Sequence, residues 1–216
     1  MKTQRLLLLT TLLAGGSAPA LADDNWFLRP YAGLSQMSDI DADFENIEGR
    51  SGNAEIDLDT GFTGGLGVGY RLSDQVALEF GWEYRSNDSE VTLAGSEKFD
   101  DGNYASNIFY LNGHYLFARN GSWQPYAGAG LTWIEEIDID LERGGEELSY
   151  SGGGEVGYQL FAGVNYELDQ NWQLQSELRY GSITGIDLDG ESGDPGSFDG
   201  LDYNTTTLQI GLVYGF

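Results

Sequence analysis

Three stretches of the 216-residue chain repeat one acidic pattern: Glu55-Ile56-Asp57-Leu58-Asp59, Glu136-Ile137-Asp138-Ile139-Asp140 and Gly185-Ile186-Asp187-Leu188-Asp189. Asp39-Ile40-Asp41-Ala42-Asp43 is a weaker fourth copy. Carboxylates converging from several strands concentrate cations and offer the oxygen ligands that divalent ions prefer. If each strand runs on without a bulge, parity sends Asp57, Asp59, Asp138, Asp140, Asp187 and Asp189 toward a common axis. It sends Ile56, Leu58, Ile137, Ile139, Ile186 and Leu188 outward. The six aspartates are the candidate cation rim, to be weighed against a plain acidic surface with no bound ion. The Asp39 copy is not an EF-hand, because Phe44 stands where the turn glycine belongs and Arg50 occupies the twelfth position.

A second set of charges is balanced. Arg29, Arg71, Arg85 and Arg179 oppose Glu79, Glu83, Glu167 and Glu177, interleaved with glycines such as Gly65, Gly67, Gly69 and Gly128. Neutrality is unexpected in a chain with 35 Asp and Glu against 10 Lys and Arg, unless these groups share an enclosed space where an unpaired charge is costly. The eight residues are therefore the candidate luminal charge network. Catalysis has little to work with. His114 is the one histidine, no serine stands beside it at a useful offset, and no cysteine, phosphate-binding loop or metal-ligand cluster accompanies it. No catalytic residue, cofactor or firm metal site is expected.

The elements that position these charges are strands. Apolar residues recur at every second position in eight segments: Trp26 to Gln36, Phe62 to Leu72, Val76 to Ser86, Ala105 to Phe117, Gln124 to Ile134, Val156 to Leu168, Trp172 to Ser182 and Thr207 to Phe216. Each has the length of a tilted bilayer-crossing strand. Ahead of them, Lys2 and Arg5, the apolar run from Leu6 and the Ala20-Leu21-Ala22 cleavage pattern read as a signal peptide over residues 1–22. Residues 23–216 form the expected single domain. The net charge of −25 excludes nucleic acid as a partner.

Connections alternate in length. Ser73-Asp74-Gln75, Arg119-Asn120-Gly121-Ser122 and Asp169-Gln170-Asn171 are tight turns, whereas 37–61, 87–104, 135–155 and 183–205 read as long acidic loops. This is the pattern of an eight-stranded antiparallel up-and-down transmembrane β-barrel. The apolar face carries no charge in any strand, as a soluble core also would; the neutrality of the opposite face decides, so the apolar face is expected to meet lipid and the charged face to line the lumen. Trp26, Tyr70, Trp123, Trp133, Tyr166, Trp172 and Tyr214 fall near strand ends, as interfacial girdles require.

Tyr31-Ala-Gly-Leu34, Gly67-Val-Gly-Tyr-Arg-Leu72, Tyr126-Ala-Gly-Ala-Gly-Leu131, Leu178-Arg-Tyr180 and the terminal Tyr214-Gly-Phe216 resemble the small outer-membrane β-barrels that include the OmpA transmembrane domain and OmpX. The resemblance implies a Gram-negative outer-membrane location, with both termini periplasmic. It also implies contact with outer-membrane lipid and lipopolysaccharide. Tyr214 and Phe216 would be the signal read by the barrel assembly machinery. It implies architecture rather than activity, so the expected role is structural or surface-interactive. The alternatives are a narrow cation-preferring pore and, behind that, an adhesin; divalent cations are the candidate small partners.

Overall fold

The computed structural model describes residues 25–216 apart from 48, 95–96 and 144–145. The expected signal peptide over residues 1–22 therefore lies wholly outside the described residues. Eleven strands follow one another: β1 (Trp26–Met37), β2 (Ile40–Ile47), β3 (Arg50–Leu58), β4 (Gly61–Arg71), β5 (Val76–Leu93), β6 (Glu97–Leu116), β7 (Trp123–Arg143), β8 (Glu146–Gly152), β9 (Val156–Glu167), β10 (Trp172–Gly190) and β11 (Ser197–Gly215). The eight predicted segments are present as β1, β4, β5, β6, β7, β9, β10 and β11. They pair antiparallel in that order, and β1 closes on β11 through registers such as Leu28 with Tyr214.

The long loops expected from composition are instead mostly strand. Polar and acidic residues there alternate with Ile, Leu, Val and Phe, which is itself a strand pattern. β5, β6, β7, β10 and β11 run on for 18 to 21 residues. That is about 60 Å along the strand, far more than an apolar band of about 25 Å requires. The shorter β2, β3 and β8 take over from β1, β4 and β9, so a second ring closes above the first: β2, β3, β5, β6, β7, β8, β10, β11 and back to β2.

The two rings are inside out relative to each other. In the lower ring Leu34, Phe80, Leu131, Leu178, Leu208 and Ile210 are exposed, while Arg29, Glu79, Arg85 and Glu177 are buried. In the upper ring Ile47, Ile56, Leu93, Ile139, Leu188 and Phe198 are fully buried in one continuous apolar core. The lower wall thus suits hydrocarbon and the upper collar suits water.

Local irregularities make the switch. A residue inserted into one strand of a pair moves every later side chain to the opposite face. On β7, Ile134 pairs with Ile108 but Glu136 pairs with Asn107, so Glu135 is the extra residue. On β10 and β11 the register shifts between Ile183 and Ile186 and again between Ile186 and Leu188. Gly185 at φ 73° and Gly200 at φ 74° adopt there a left-handed conformation that side chains resist. The links Ser38-Asp39 and Asp59-Thr60 do the same between β1 and β2 and between β3 and β4. β5 keeps one parity throughout, passing from Arg85 and Asn87 to Val91 and Leu93 on the same inward face.

The three short turns are as predicted. Ser73 Oγ accepts from the amides of Gln75 and Val76, and Asp169 Oδ1 accepts from those of Asn171 and Trp172. Gly121 takes φ 61° inside the Asn120–Trp123 bridge. Aromatic pairs belt this end: Trp26 with Tyr70, Trp123 with Tyr166 and Trp172 with Tyr214, at centroid distances of 5.1, 4.7 and 4.7 Å.

Candidate functional site

Two charged regions were expected, a rim and a lumen, and the structure separates them. The rim residues do not face the axis. Ile56, Leu58, Ile137, Ile139, Ile186 and Leu188 are the buried partners. Asp57, Asp138 and Asp140 are half-buried on the outer surface, and Asp59, Asp187 and Asp189 are exposed. The unbroken-strand premise fails at the bulges, and the axial geometry fails with it. What results is an acidic collar whose carboxylates point outward from a dry core.

The collar crowds its charges. Ser149 Oγ donates to Asp140 Oδ1 at 2.7 Å, and the Ser149 amide donates to Asp194 Oδ2 at 3.0 Å. Partial burial, reinforced by Asp140, Glu191, Glu136 and Glu147, pushes the Asp138 carboxyl up to about 6. On another face Asp39, Asp57, Asp59, Asp88 and Glu90 line an open groove at the waist between the rings, with Lys98 paired to Glu90. Among the described residues, no group of three or more His, Cys, Asp or Glu side chains is arranged to hold a metal ion.

The lumen holds six of the eight predicted network residues. Arg29 Nε and Nη2 donate to Glu79 at 2.8 and 2.5 Å, and Arg29 Nη1 donates to Gln175 at 3.0 Å. Arg179 donates through Nε and Nη2 to Glu177 Oε1 at 3.0 and 2.6 Å, and through Nη1 to Glu83 at 3.3 Å. Arg85 Nη2 completes the chain, donating to Glu83 at 2.6 Å. Tyr31 and Tyr126 donate their hydroxyls to Glu83 and Glu177 at 2.9 and 2.7 Å. The Arg179 guanidinium lies among the rings of Tyr31, Tyr110 and Phe161. Luminal glycines make room: a Cβ on Gly65 would lie 2.5 Å from the Tyr31 hydroxyl.

Arg71 and Glu167 do not join this network. Arg71 is half-buried at the short-turn end, its guanidinium 5.7 Å from the Phe27 ring centroid. Glu167 pairs with Arg119 at the surface. Three arginines and three glutamates remain, so the lumen is neutral. His114 is buried beside Phe161 and Tyr126, with Nε2 3.9 Å from Glu79 Oε2 and no hydrogen-bond partner.

Some members carried too weak a signal for prediction. Ser35 accepts from Arg85, and Gln209 Nε2 donates to Glu177 at 2.7 Å. Asn87 Nδ2 donates to the carbonyls of Asp59 and Ser35 at 2.6 and 3.3 Å, bridging the place where β1 and β4 give way to β2 and β3. Inward parity on β5 was the available signal for Asn87, but a composition-based reading placed it in a loop. Above the network, the cavity bounded by Glu83, Arg85, Tyr110, Arg179 and Tyr203 amounts to 10 Å³, about the space of one water. The collar core begins directly beyond it. At the opposite end the Phe216 amide donates to the Trp26 carbonyl at 3.0 Å, tying the last residue to the first strand.

A closed antiparallel barrel with a lipid-compatible outer wall, aromatic belt and neutral charged lumen defines an integral outer-membrane β-barrel. The chain matches the outer membrane protein beta-barrel domain family over residues 8–216, and it belongs to that family. It is 27% identical to a putative adhesin, RC1281, of Rickettsia conorii, over 92% of this chain and 85% of the relative. It is 22% identical to outer membrane protein W of Vibrio cholerae, over 81% of this chain and 82% of the relative. Among solved structures, OprG from Pseudomonas aeruginosa superposes with a TM-score of 0.66 at 17% identity, covering 89% of this chain and 95% of that one. The Escherichia coli outer membrane protease OmpT superposes with a TM-score of 0.55 at 10% identity, covering 93% and 99%, a likeness of fold alone. The protein resides in the outer membrane.

Proposed function

We propose that this protein is a closed, non-enzymatic barrel that acts through its outer surface, presenting a rigid acidic collar above the membrane. The observation that carries this reading is the stacking of two seals: the neutral Arg–Glu network and, directly above it, the apolar core of the collar. An ion entering from either side meets paired charges or hydrocarbon, and both are poor paths for conduction. The six aspartates Asp57, Asp59, Asp138, Asp140, Asp187 and Asp189 then act from outside. They gather cations diffusely and stand next to the lipopolysaccharide head groups, where divalent ions neutralise facing anionic groups.

The surface role is supported by the folding of the supposed loops into strands, which fixes the charges in place rather than leaving them on mobile tethers. The name of the rickettsial relative agrees with a surface role. Tyr214 and Phe216 are proposed as the assembly signal, placing the short-turn end in the periplasm. Planar-bilayer recording tests the central claim. Purified protein should insert without discrete conductance steps; reproducible cation-selective steps would establish the pore instead.

A further inference from the structure

Among the described arginines of the membrane ring, Arg29, Arg85, Arg119 and Arg179 each have a carboxylate in ion-pair range, and Arg71 has none. Its guanidinium is half-buried, faces the Phe27 ring and has Arg119 as a like-charged neighbour. Even a partly desolvated cation without a counter-charge carries a cost, and the rest of this lumen avoids it. Arg71 lines a chamber shared with Phe27, Glu79, His114, Gln173 and Val213.

His114 supplies an independent observation. It is 6% exposed, lines the same chamber, and its Nε2 lacks a hydrogen-bond partner. Glu79 Oε2 is 3.9 Å away and already accepts from Arg29 Nε at 2.8 Å. Glu79 is therefore neutralised within the chamber and does not repel an incoming anion. Two groups suited to an anion, a guanidinium without an ion-pair partner and an imidazole nitrogen without a hydrogen bond, thus border one space, which Asn165, Gln173 and Gln175 also line.

Size selects the ligand. The chamber holds 30 Å³, enough for about two waters or one halide and too little for sulfate or a phospholipid head group. The acidic collar does not oppose binding. It begins beyond the far end of β4, about 30 Å along the strand and several screening lengths away. The exposed Asp74 and Asp169 on the turns are solvated.

We propose that the short-turn end of the lumen binds a small monovalent anion of halide size between Arg71 and His114, completing the charge balance of the plug. Thermal unfolding of the detergent-purified protein tests this, comparing sodium chloride or bromide with sodium sulfate and gluconate at equal ionic strength. Halides should raise the midpoint saturably by at least about 2 °C, with sulfate and gluconate inactive, because a ligand that binds only the folded state stabilises it. Arg71→Gln should abolish the halide shift. Crystals grown in bromide read the site directly and do not depend on the variant folding: an anomalous peak is expected in the chamber beside Arg71 and His114. Equal midpoints in all four anions, a halide shift undiminished in Arg71→Gln, or a chamber with no bromide peak would each overturn the proposal.

Discussion

Arg29 and Glu79 meet in the lumen through two hydrogen bonds of 2.8 and 2.5 Å, with both side chains wholly shielded from solvent. They are fifty residues apart in sequence and lie on β1 and β5, strands that do not pair with each other; β4 runs between them. Their pairing therefore depends on the closure of the wall around them.

Removing one partner leaves the other charge buried and uncompensated. Glu79→Gln or Arg29→Ala should cost about 3–5 kcal/mol of unfolding free energy, whereas replacing both by apolar residues of similar volume should cost much less. Urea titrations of the protein folded into lipid vesicles, run as a double-mutant cycle, measure the difference.

The collar core should behave as a water-soluble core. Phe198 is fully buried against Tyr150 at a ring-centroid distance of 5.0 Å, so Phe198→Ala should destabilise the collar by about 3–5 kcal/mol. Limited proteolysis should then cut within β2, β3 or β8 while the membrane ring survives as a heat-modifiable band on a detergent gel.

The bulge at Glu135 absorbs a residue that strict alternation cannot place. Deleting Glu135 brings Glu136 directly after Ile134, so Glu136 still pairs with Asn107 and Ile137 and Ile139 stay inward in a regular ladder. The expected outcome is a collar as resistant to proteolysis as the parent. Inserting one Ala after Glu136 instead should turn Asp138 and Asp140 inward in place of Ile137 and Ile139 and collapse the collar, seen as rapid cleavage between residues 135 and 155.

Asp138 gives the collar a pH response of defined sign. Its carboxyl in the folded protein is raised to about 6 from 3.8, so the folded state binds its proton more tightly than the unfolded state does. Stability should therefore fall as pH rises from about 4 to about 6. Asp138→Asn should stabilise the collar at neutral pH and have little effect near pH 4, as read by proteolysis or thermal unfolding at each pH.

The sequence by itself determined the membrane ring. Its strands alternate strictly, and residues such as Leu208, Ile210 and Leu212 opposite Thr207, Gln209 and Gly211 leave one assignment of faces once charge is counted. It also determined which charges are luminal wherever a residue lies within such a strand: Arg29, Glu79, Glu83, Arg85, Glu177 and Arg179. Arg71 and Glu167 fell outside because they sit at strand ends, where the lumen opens to solvent and parity no longer implies enclosure.

Only the tertiary structure decided the collar. Glu136-Ile137-Asp138-Ile139-Asp140 alternates whether its isoleucines point in or out, and composition favoured a loop. The choice rests on bulges such as the one at Glu135 and on short links such as Ser38-Asp39, while β5 needs none, and each irregularity is compatible with the local sequence. What selects among the registers is non-local: apolar side chains from β2, β3, β5, β6, β7, β8, β10 and β11 can leave water only by meeting on a shared axis. That term arises when the second ring closes, so no single segment contains it.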